Sequence, residues 1–181
     1  MDIRAQARPF LEKLVATTGE TMHCAVLQEA SVRYIDAVES PKALRVAGRT
    51  GTSLPAHCSS AGKAILARLS ADEIVRLYRR ERLVQTTSRS IANRTELAAA
   101  LERIRRVGYA VNIGESEEGV VAVGVAVADS LGRTVAGLSC AAPAMRMRRA
   151  RAVEVAALLK DAAAGIAASF EAPGPGFQPR G

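Results

Sequence analysis

The sequence predicts an α+β domain with an antiparallel sheet, and three observations lead to that fold class. β-rich segments occur in two pairs, each joined by a short turn, over residues 23–38 and 120–141. Amphipathic helices are predicted before, between and after these pairs. The second pair is apolar enough to be buried on both faces, as the central strands of a helix-covered sheet are.

The first half of the chain begins with an amphipathic helix, predicted over residues 2–18 and ended by Gly19. Residues 23–38 are β-branched and partly alternating, and the short connection Glu29-Ala30 predicts that they form a hairpin. A weaker strand is predicted over residues 43–47, just before a glycine-rich stretch.

Two helix starts follow, and both have the spacing of a capping box: Ser70 with Glu73, and Asn93 with Glu96. The first of these helices is expected to end near Arg79. The second is expected to end where Gly108 interrupts the apolar periodicity.

The second hairpin is predicted over residues 120–141, with its turn at Ser130-Leu131-Gly132. A last helix is predicted over residues 147–168. Residues 170–181 form a tail rich in proline and glycine, which we expect to be disordered.

Composition and charge exclude several classes of protein. No apolar run approaches the roughly 20 residues that span a bilayer, and the N-terminus lacks a secretion signal, so we expect a cytoplasmic protein without membrane contact. The three cysteines have no CxxC spacing, so neither a disulfide framework nor a zinc site is expected, and no cofactor is predicted. The net charge of +7 has one dense cluster, RMRRAR at 146–151, interpreted as the solvated head of the last helix.

The stretch SLPAHCSSAGKAILA, residues 53–67, concentrates chemically versatile residues before an apolar segment. A phosphate-binding loop does not fit, because that motif requires glycine where His57 stands and a hydroxyl where Ala64 stands. Ser60 and Lys63 match the S-x-x-K pattern of serine acylases, but the other motifs of those active sites are missing. A nucleophilic Cys58 beside His57 is disfavoured, because neighbouring side chains on an extended chain point to opposite sides.

Two interpretations of this stretch then stay open. One is an anion-receptive helix start, in which Pro55 fixes the approach, Ser59 or Ser60 caps the helix, and small side chains expose free backbone N–H groups. The other is a capped helix that packs on a sheet without binding anything. Gly62, which lowers helix propensity by about 1 kcal/mol relative to alanine, indicates a special role without deciding between them.

The same stretch resembles the signature segment of the effector-binding domain in the IclR family of bacterial transcription regulators. Residues 108–147, GYAVNIGESEEGVVAVGVAVADSLGRTVAGLSCAAPAMRM, resemble that domain's second signature. The resemblance covers about residues 2–168 and implies a GAF-like fold, in which a curved antiparallel sheet lies between helices. It divides the chain into a linking helix (1–18), an effector-binding domain (19–169) and the tail.

The resemblance also implies a pocket for a small organic or aromatic carboxylic acid, with the acidic group near the head of the signature helix. Seven residues would line it: Val46, Ser60, Ala61, Asn112, Ala122, Ser139 and Ala141. Asn112 replaces a frequent aspartate, and Ala122 and Ala141 replace more polar side chains, so this pocket is expected to be more apolar and less negative than is common.

Partners follow from the same resemblance. We expect a homodimer or homotetramer without catalytic activity, and DNA binding only through an N-terminal winged helix-turn-helix domain that precedes this region in the family and is absent from this sequence. Two alternatives remain: a serine or cysteine enzyme that uses Ser60 with Lys63, or Cys58; and direct nucleic-acid binding through the arginines of the cluster, Arg146, Arg148, Arg149 and Arg151.

Overall fold

The computed structural model describes residues 2–170 and has the predicted α+β composition. Five helices and six strands follow one another in the order α1 (Ile3–Thr18), β1 (Thr21–Gln28), β2 (Ser31–Val38), β3 (Ser53–Pro55), α2 (Ser60–Leu66), α3 (Ala71–Leu77), α4 (Arg94–Val107), β4 (Ala110–Ile113), β5 (Val120–Ala128), β6 (Thr134–Pro143) and α5 (Arg149–Ser169). Single 3-10 turns, Ala56–Cys58 and Ala144–Arg146, precede α2 and α5.

The six strands form one curled antiparallel sheet in the order β3-β2-β1-β6-β5-β4. Both predicted hairpins are confirmed, since β1 pairs with β2 and β5 pairs with β6. The two hairpins meet at the centre of the sheet, where Thr21 of β1 lies opposite Ala141 of β6. The curved sheet that the resemblance implies is therefore present.

Helices cover both faces of the sheet. Helices α1 and α5 pack on one face, in a core that includes Leu11, Leu138 and Leu159. Helices α2, α3 and α4 pack on the other face, in a second core that includes Leu66 and Leu97. The apolar strands β5 and β6 are buried between these layers, as their composition predicts.

Local signals set the helix ends. Gly19 and Gly108 both adopt the left-handed conformation, with φ of 72° and 80°, and end α1 and α4 where predicted. The capping box at Ser70 is complete, because Ser70 and Glu73 each bind the other's backbone N–H. At α4, Asn93 caps the helix through the N–H of Glu96.

The prediction of a strand over residues 43–47 is wrong. This segment has no strand pairing and crosses the sheet as an irregular loop, held by the Thr21 hydroxyl, which donates to the carbonyl of Val46 at 2.5 Å. Its apolar Leu44 points outward with 58% of its surface exposed. The free edge of β2 is instead taken by β3, which the sequence analysis did not identify as a strand.

The C-terminal boundaries also differ from the prediction. Helix α5 begins at Arg149 rather than residue 147, because Ala144–Arg146 form a 3-10 turn first. Phe170, assigned to the tail, packs partly buried against the core, while residues 171–181 of the predicted tail lie outside the described residues. No helix in the range 2–170 is long and apolar enough to cross a membrane.

Candidate functional site

The signature stretch folds as strand β3, a 3-10 turn and helix α2, and a serine caps that helix. The Ser59 hydroxyl accepts from the N–H of Gly62 at 3.2 Å, and the Ser59 carbonyl accepts from the N–H of Lys63 at 2.8 Å. The hydroxyl of Tyr34 lies 3.2 Å from the Ser59 hydroxyl. Of the two candidate caps, the structure therefore selects Ser59 and leaves the Ser60 side chain free for other contacts.

The head of α2 lies directly on the sheet, because glycine stands where the two backbones meet. A Cβ atom on Gly124 of β5 would lie 2.6 Å from the amide nitrogen of Ala61. A Cβ atom on Gly62 would lie 2.7 Å from Cα of Ala56 in the preceding turn. No side chain fits either position, so Gly124 lets Ser60 and Ala61 lie against strand β5, and Gly62 lets the preceding turn lie against the helix.

Strand pairing brings most of the predicted site residues together on the face that α2 covers. Asn112, Ala122 and Ala141 lie opposite one another across β4, β5 and β6. Ser139 is two residues from Ala141 on the same face and pairs with Gly124, the contact point of Ser60.

Val46 reaches this group from the loop that crosses the sheet. It packs against Ala122 and Ala141 in a small apolar cluster that Val120 completes. All seven predicted residues are buried, with at most 7% of their surface exposed. Ala122 and Ala141, which we expect to make the pocket more apolar, therefore lie together with Val46 in one apolar cluster.

The two serines of the group are buried beside the apolar cluster. Ser60 is 2% and Ser139 is 3% exposed, so both hydroxyls are buried on the face of the sheet that α2 covers. Because a hydroxyl both donates and accepts hydrogen bonds, two serines beside an apolar cluster are an arrangement suited to a ligand with one polar group and an apolar body.

Asn112 has a different role, because its amide is already occupied. The side-chain NH₂ donates to the carbonyl of Cys58 at 3.0 Å and to the hydroxyl of Ser116 at 3.1 Å. The side-chain oxygen accepts from the N–H of Glu115 at 2.8 Å. Asn112 therefore links the turn before α2 to the loop after β4, and forms part of the wall of the candidate site.

A cavity of about 500 Å³ opens beside the apolar cluster. Of the seven predicted residues only Val46 lines it, together with Val120 and the two loops 44–49 and 117–119. Its rim is charged, and two of its arginines are paired: Arg49 binds Glu117 at 2.8 Å and Arg45 binds Glu39 at 3.1 Å.

His23 is a further neighbour of this group, which the sequence did not indicate. His23 pairs with Ser139 across β1 and β6, and its ring centroid lies 5.0 Å from that of Tyr34. Burial lowers the pKa of His23 to about 4, and its Nε2 atom has no partner among the described residues. The only available signal was its place in a predicted strand, and the pairing of that strand with β6 is not readable from the sequence.

Lys63 is not placed to activate Ser60. Its ammonium group donates to the carbonyl of Val111 at 2.7 Å and to both carboxylate oxygens of Glu115, at 2.7 and 3.0 Å. These contacts occupy all three of its N–H bonds, so Lys63 anchors the β4–β5 loop and does not act as a free base.

His57 and Cys58 do not follow the expected geometry of an extended chain. They lie in a 3-10 turn, and both approach the carbonyl of Val84, at 2.6 Å for His57 Nε2 and 3.8 Å for Cys58 Sγ. Burial acts to raise the pKa of the Cys58 thiol, but its contacts with His57 and Ser90 outweigh burial and lower it. Cys58 is 0% exposed, so no substrate reaches the thiol in this structure.

Comparison with known proteins agrees with this geometry. Residues 1–168 match the model of the bacterial transcriptional regulator IclR C-terminal family. KdgR of Escherichia coli K12, an HTH-type transcriptional regulator, is 32% identical over 94% of this chain and 65% of its own length. The chain thus spans slightly less than two thirds of that relative.

Solved structures give the same result. The Thermotoga maritima IclR structure superposes with a TM-score of 0.88 at 31% identity, covering 95% of this chain and 70% of that one. The inducer-binding domain of the Acinetobacter transcription factor PobR, a double mutant in complex with 3-hydroxybenzoic acid, gives a TM-score of 0.81 at 27% identity, covering 89% of this chain and 95% of that one.

These relatives are transcription regulators and not enzymes, in agreement with the expectation from the sequence. The two signature stretches, the curled sheet and the match over residues 1–168 all indicate the same family. This chain belongs to the IclR family of bacterial transcriptional regulators and corresponds to the family's C-terminal region.

Proposed function

We propose that this chain is the effector-binding domain of an IclR-type regulator and that its effector is a small organic or aromatic carboxylic acid. The ligand would lie between the head of α2, the loop around Val46 and the sheet. Its walls would be the seven buried residues of the candidate site, Val46, Ser60, Ala61, Asn112, Ala122, Ser139 and Ala141.

The observation that carries this proposal is the position of two buried serines, Ser60 and Ser139, beside the apolar cluster of Val46, Ala122 and Ala141. A carboxylate accepts hydrogen bonds from both hydroxyls, and an aromatic or aliphatic body contacts the cluster. Hydrogen bonds to a charged group contribute about 1.5–3 kcal/mol each, enough to fix the orientation of a small acid. The 3-hydroxybenzoic acid in the similar PobR domain supports an acid of this size.

The effector would act on the assembly of the whole regulator. We propose a homodimer or homotetramer in the cytoplasm, with DNA contacted only by an N-terminal domain. The ligand then shifts the balance between two arrangements for which it has different affinities, with a coupling of typically 1–3 kcal/mol. Helix α1 would carry the change toward the DNA reader, because it is the first helix of the described chain and corresponds to the linking helix that the resemblance implies.

A thermal-unfolding screen with 3-hydroxybenzoate, 4-hydroxybenzoate, benzoate and pyruvate tests the proposal. A ligand at about 100 times its dissociation constant adds about 2.7 kcal/mol to the free energy of unfolding. Ser60→Glu places a negative charge where the carboxylate binds, and Ser139→Leu fills the space beside it, so both variants should lose the shift.

Ser130→Glu is the matched control, because Ser130 lies exposed in the turn between β5 and β6. It should keep the shift of the wild-type chain. A shift that persists in both Ser60→Glu and Ser139→Leu would place the ligand elsewhere. Sedimentation of the same samples measures the oligomeric state, and a monomer at all concentrations would contradict the proposed assembly.

A further inference from the structure

A second cavity, of about 440 Å³, lies on the other side of the signature stretch, between the turn of the first hairpin and the segment that follows α3. Its volume falls within the roughly 300–1,000 Å³ typical of sites for small molecules. It shares no lining residue with the seven residues of the proposed effector site.

Four arginines surround this cavity: Arg76, Arg79, Arg80 and Arg82. None of the four forms an ion pair within the described part of the chain, although Asp36, Glu115 and Glu117 each bind an arginine or a lysine there. The one carboxylate among them, Glu81, binds Thr95 and Arg94 and lines a different depression. Arg76 lies close enough to the carboxylate of Glu73 to interact with it, whereas the charges of Arg79, Arg80 and Arg82 have no ion-pair partner in the described part of the chain.

The floor of the cavity is apolar and aromatic. His57 and Tyr78 meet edge to face with ring centroids 5.5 Å apart, and both are buried, at 3% and 6% exposure. Pro55, Leu77 and Leu83 extend this floor. Two polar atoms beneath it, His57 Nδ1 and Tyr78 Oη, have no hydrogen-bond partner among the described residues.

We infer that this arginine-lined cavity binds a phosphorylated small molecule, a phosphate monoester whose body is aromatic or apolar. Guanidinium groups form forked hydrogen bonds with phosphate oxygens, and several of them balance a doubly charged group. The floor accepts an apolar body that lies beneath the arginines. An apolar floor between charged side chains fits a small ester with an apolar body better than the continuous, fully hydrated backbone of a nucleic acid.

Isothermal titration with phenyl phosphate as the probe tests this inference on the intact chain. We expect saturable binding that weakens as salt rises, no binding of phenol, and weaker binding of inorganic phosphate, which lacks a body for the floor. Arg79→Ser/Arg80→Ser should weaken the binding of phenyl phosphate by about tenfold or more, because it removes two charged donors.

The charge-matched control is Arg103→Ser/Arg106→Ser, which removes two exposed arginines of α4 that do not line the cavity. It should bind phenyl phosphate like the wild-type chain. Equal weakening in this control would show that only general positive charge attracts the probe. No saturable binding to the wild-type chain would show that the cavity does not bind it. Either result would overturn the inference.

A shape variant separates the cavity from a nucleic-acid surface. Ala30→Phe fills the cavity from the hairpin turn and leaves all four arginines in place. It should lose phenyl phosphate and keep the thermal-unfolding midpoint of the free protein. If a short DNA duplex binds the wild-type and Ala30→Phe chains equally but not Arg79→Ser/Arg80→Ser, the arginines form a nucleic-acid surface and the inference is wrong.

Discussion

Lys63 and Glu115 form a buried ion pair that joins helix α2 to the loop between β4 and β5. The ammonium nitrogen lies 2.7 Å from one carboxylate oxygen and 3.0 Å from the other, and the side chains are 5% and 13% exposed. The same loop supplies the N–H that binds Asn112. The ion pair therefore supports a wall of the proposed effector site from outside it.

Lys63→Met should lower the free energy of unfolding by about 3 kcal/mol, because it leaves the Glu115 carboxylate buried without its partner. Denaturant unfolding at neutral pH measures the loss. The exposed Lys13→Met is the control and should change stability by less than about 0.5 kcal/mol. The double variant Lys63→Met/Glu115→Leu, which removes both partners, should lose less free energy of unfolding than Lys63→Met alone. If the double variant is less stable than Lys63→Met, the unpaired carboxylate is not the cause of the loss.

Gly62→Ala should destabilise the protein, although alanine is favoured over glycine in helices by about 1 kcal/mol. The added methyl group would collide with the backbone of Ala56, which cannot move without displacing the turn. Denaturant unfolding of the purified variant measures the change.

Gly165→Ala in α5 is the comparison variant for Gly62→Ala. There the added methyl group meets only the ring of Phe10, 2.9 Å from its Cζ, and that half-buried side chain is able to rotate away. The loss of stability should thus be smaller than for Gly62→Ala. Equal effects at the two positions would mean that the close approach of α2 to its preceding turn does not require glycine.

Stability should fall between about pH 6.5 and pH 4 because of His23. Burial lowers the pKa of His23 in the folded chain to about 4, from an ordinary value of 6.5. Above pH 6.5 the ring is neutral in both states, whereas below it the unfolded chain binds a proton that the folded chain does not. At pH 5 this residue alone should cost about 2 kcal/mol relative to pH 7.5.

His23→Gln checks that dependence, because glutamine does not titrate. The difference in unfolding free energy between the wild-type and variant chains should change by about 2 kcal/mol between pH 7.5 and pH 5. Other groups titrate equally in both chains and cancel in this difference. A difference that stays constant with pH would show that His23 is protonated as readily in the folded chain as in the unfolded one.

Arg146→Met should lower stability by about 2 kcal/mol. Its guanidinium binds the buried carboxylate of Glu20 through two hydrogen bonds, at 2.6 and 2.9 Å, and a third reaches the carbonyl of Leu44 at 2.7 Å. The variant leaves Glu20 with Lys42 as its remaining ion-pair partner in the described residues.

Arg149→Met is the matched control for Arg146→Met, because Arg149 is exposed at the start of α5 and has no ion pair in the described part of the chain. Its unfolding free energy should stay within about 0.5 kcal/mol of the wild-type value. Similar losses in both variants would assign the effect to overall charge instead of the contact with Glu20.

The elements that the sequence predicted correctly are those with local causes. Gly19 and Gly108 end their helices because only a left-handed residue continues the chain there, and Ser70 with Glu73 forms its capping box within four residues. Both hairpins have short turns between apolar strands, so nearest neighbours in sequence are also partners in space.

The elements that the sequence did not predict depend on distant contacts. Residues 43–47 resemble a strand in composition, but the edge of β2 is occupied by Ser53–Pro55, which nothing local distinguishes as a strand. In α5 the alanine-rich sequence allows several apolar stripes at helical spacing, and one that contains Val153 does not face the core, because Val153 is 51% exposed.

In the candidate site, too, some residues were predictable from the sequence, and others depend on contacts between distant parts of the chain. Val46, Ala122 and Ala141 were proposed from family resemblance, and the structure packs them together. His23 was not proposed, since its position beside Ser139 depends on the pairing of β1 with β6. The role of Asn112 in holding two loops was equally hidden, because its partners Cys58 and Ser116 lie on separate elements.

The pairing of β1 with β6 at the centre of the sheet also governs how the chain folds. These strands come from opposite ends of the described chain, so the sheet stays in two separate hairpins until nearly all of it has been synthesised. Such high contact order makes folding slower than in helical domains of similar size. Until β6 pairs with β1, one edge of each hairpin is exposed. In a nascent chain, the edge of β1 therefore stays unpaired until β6 has been synthesised.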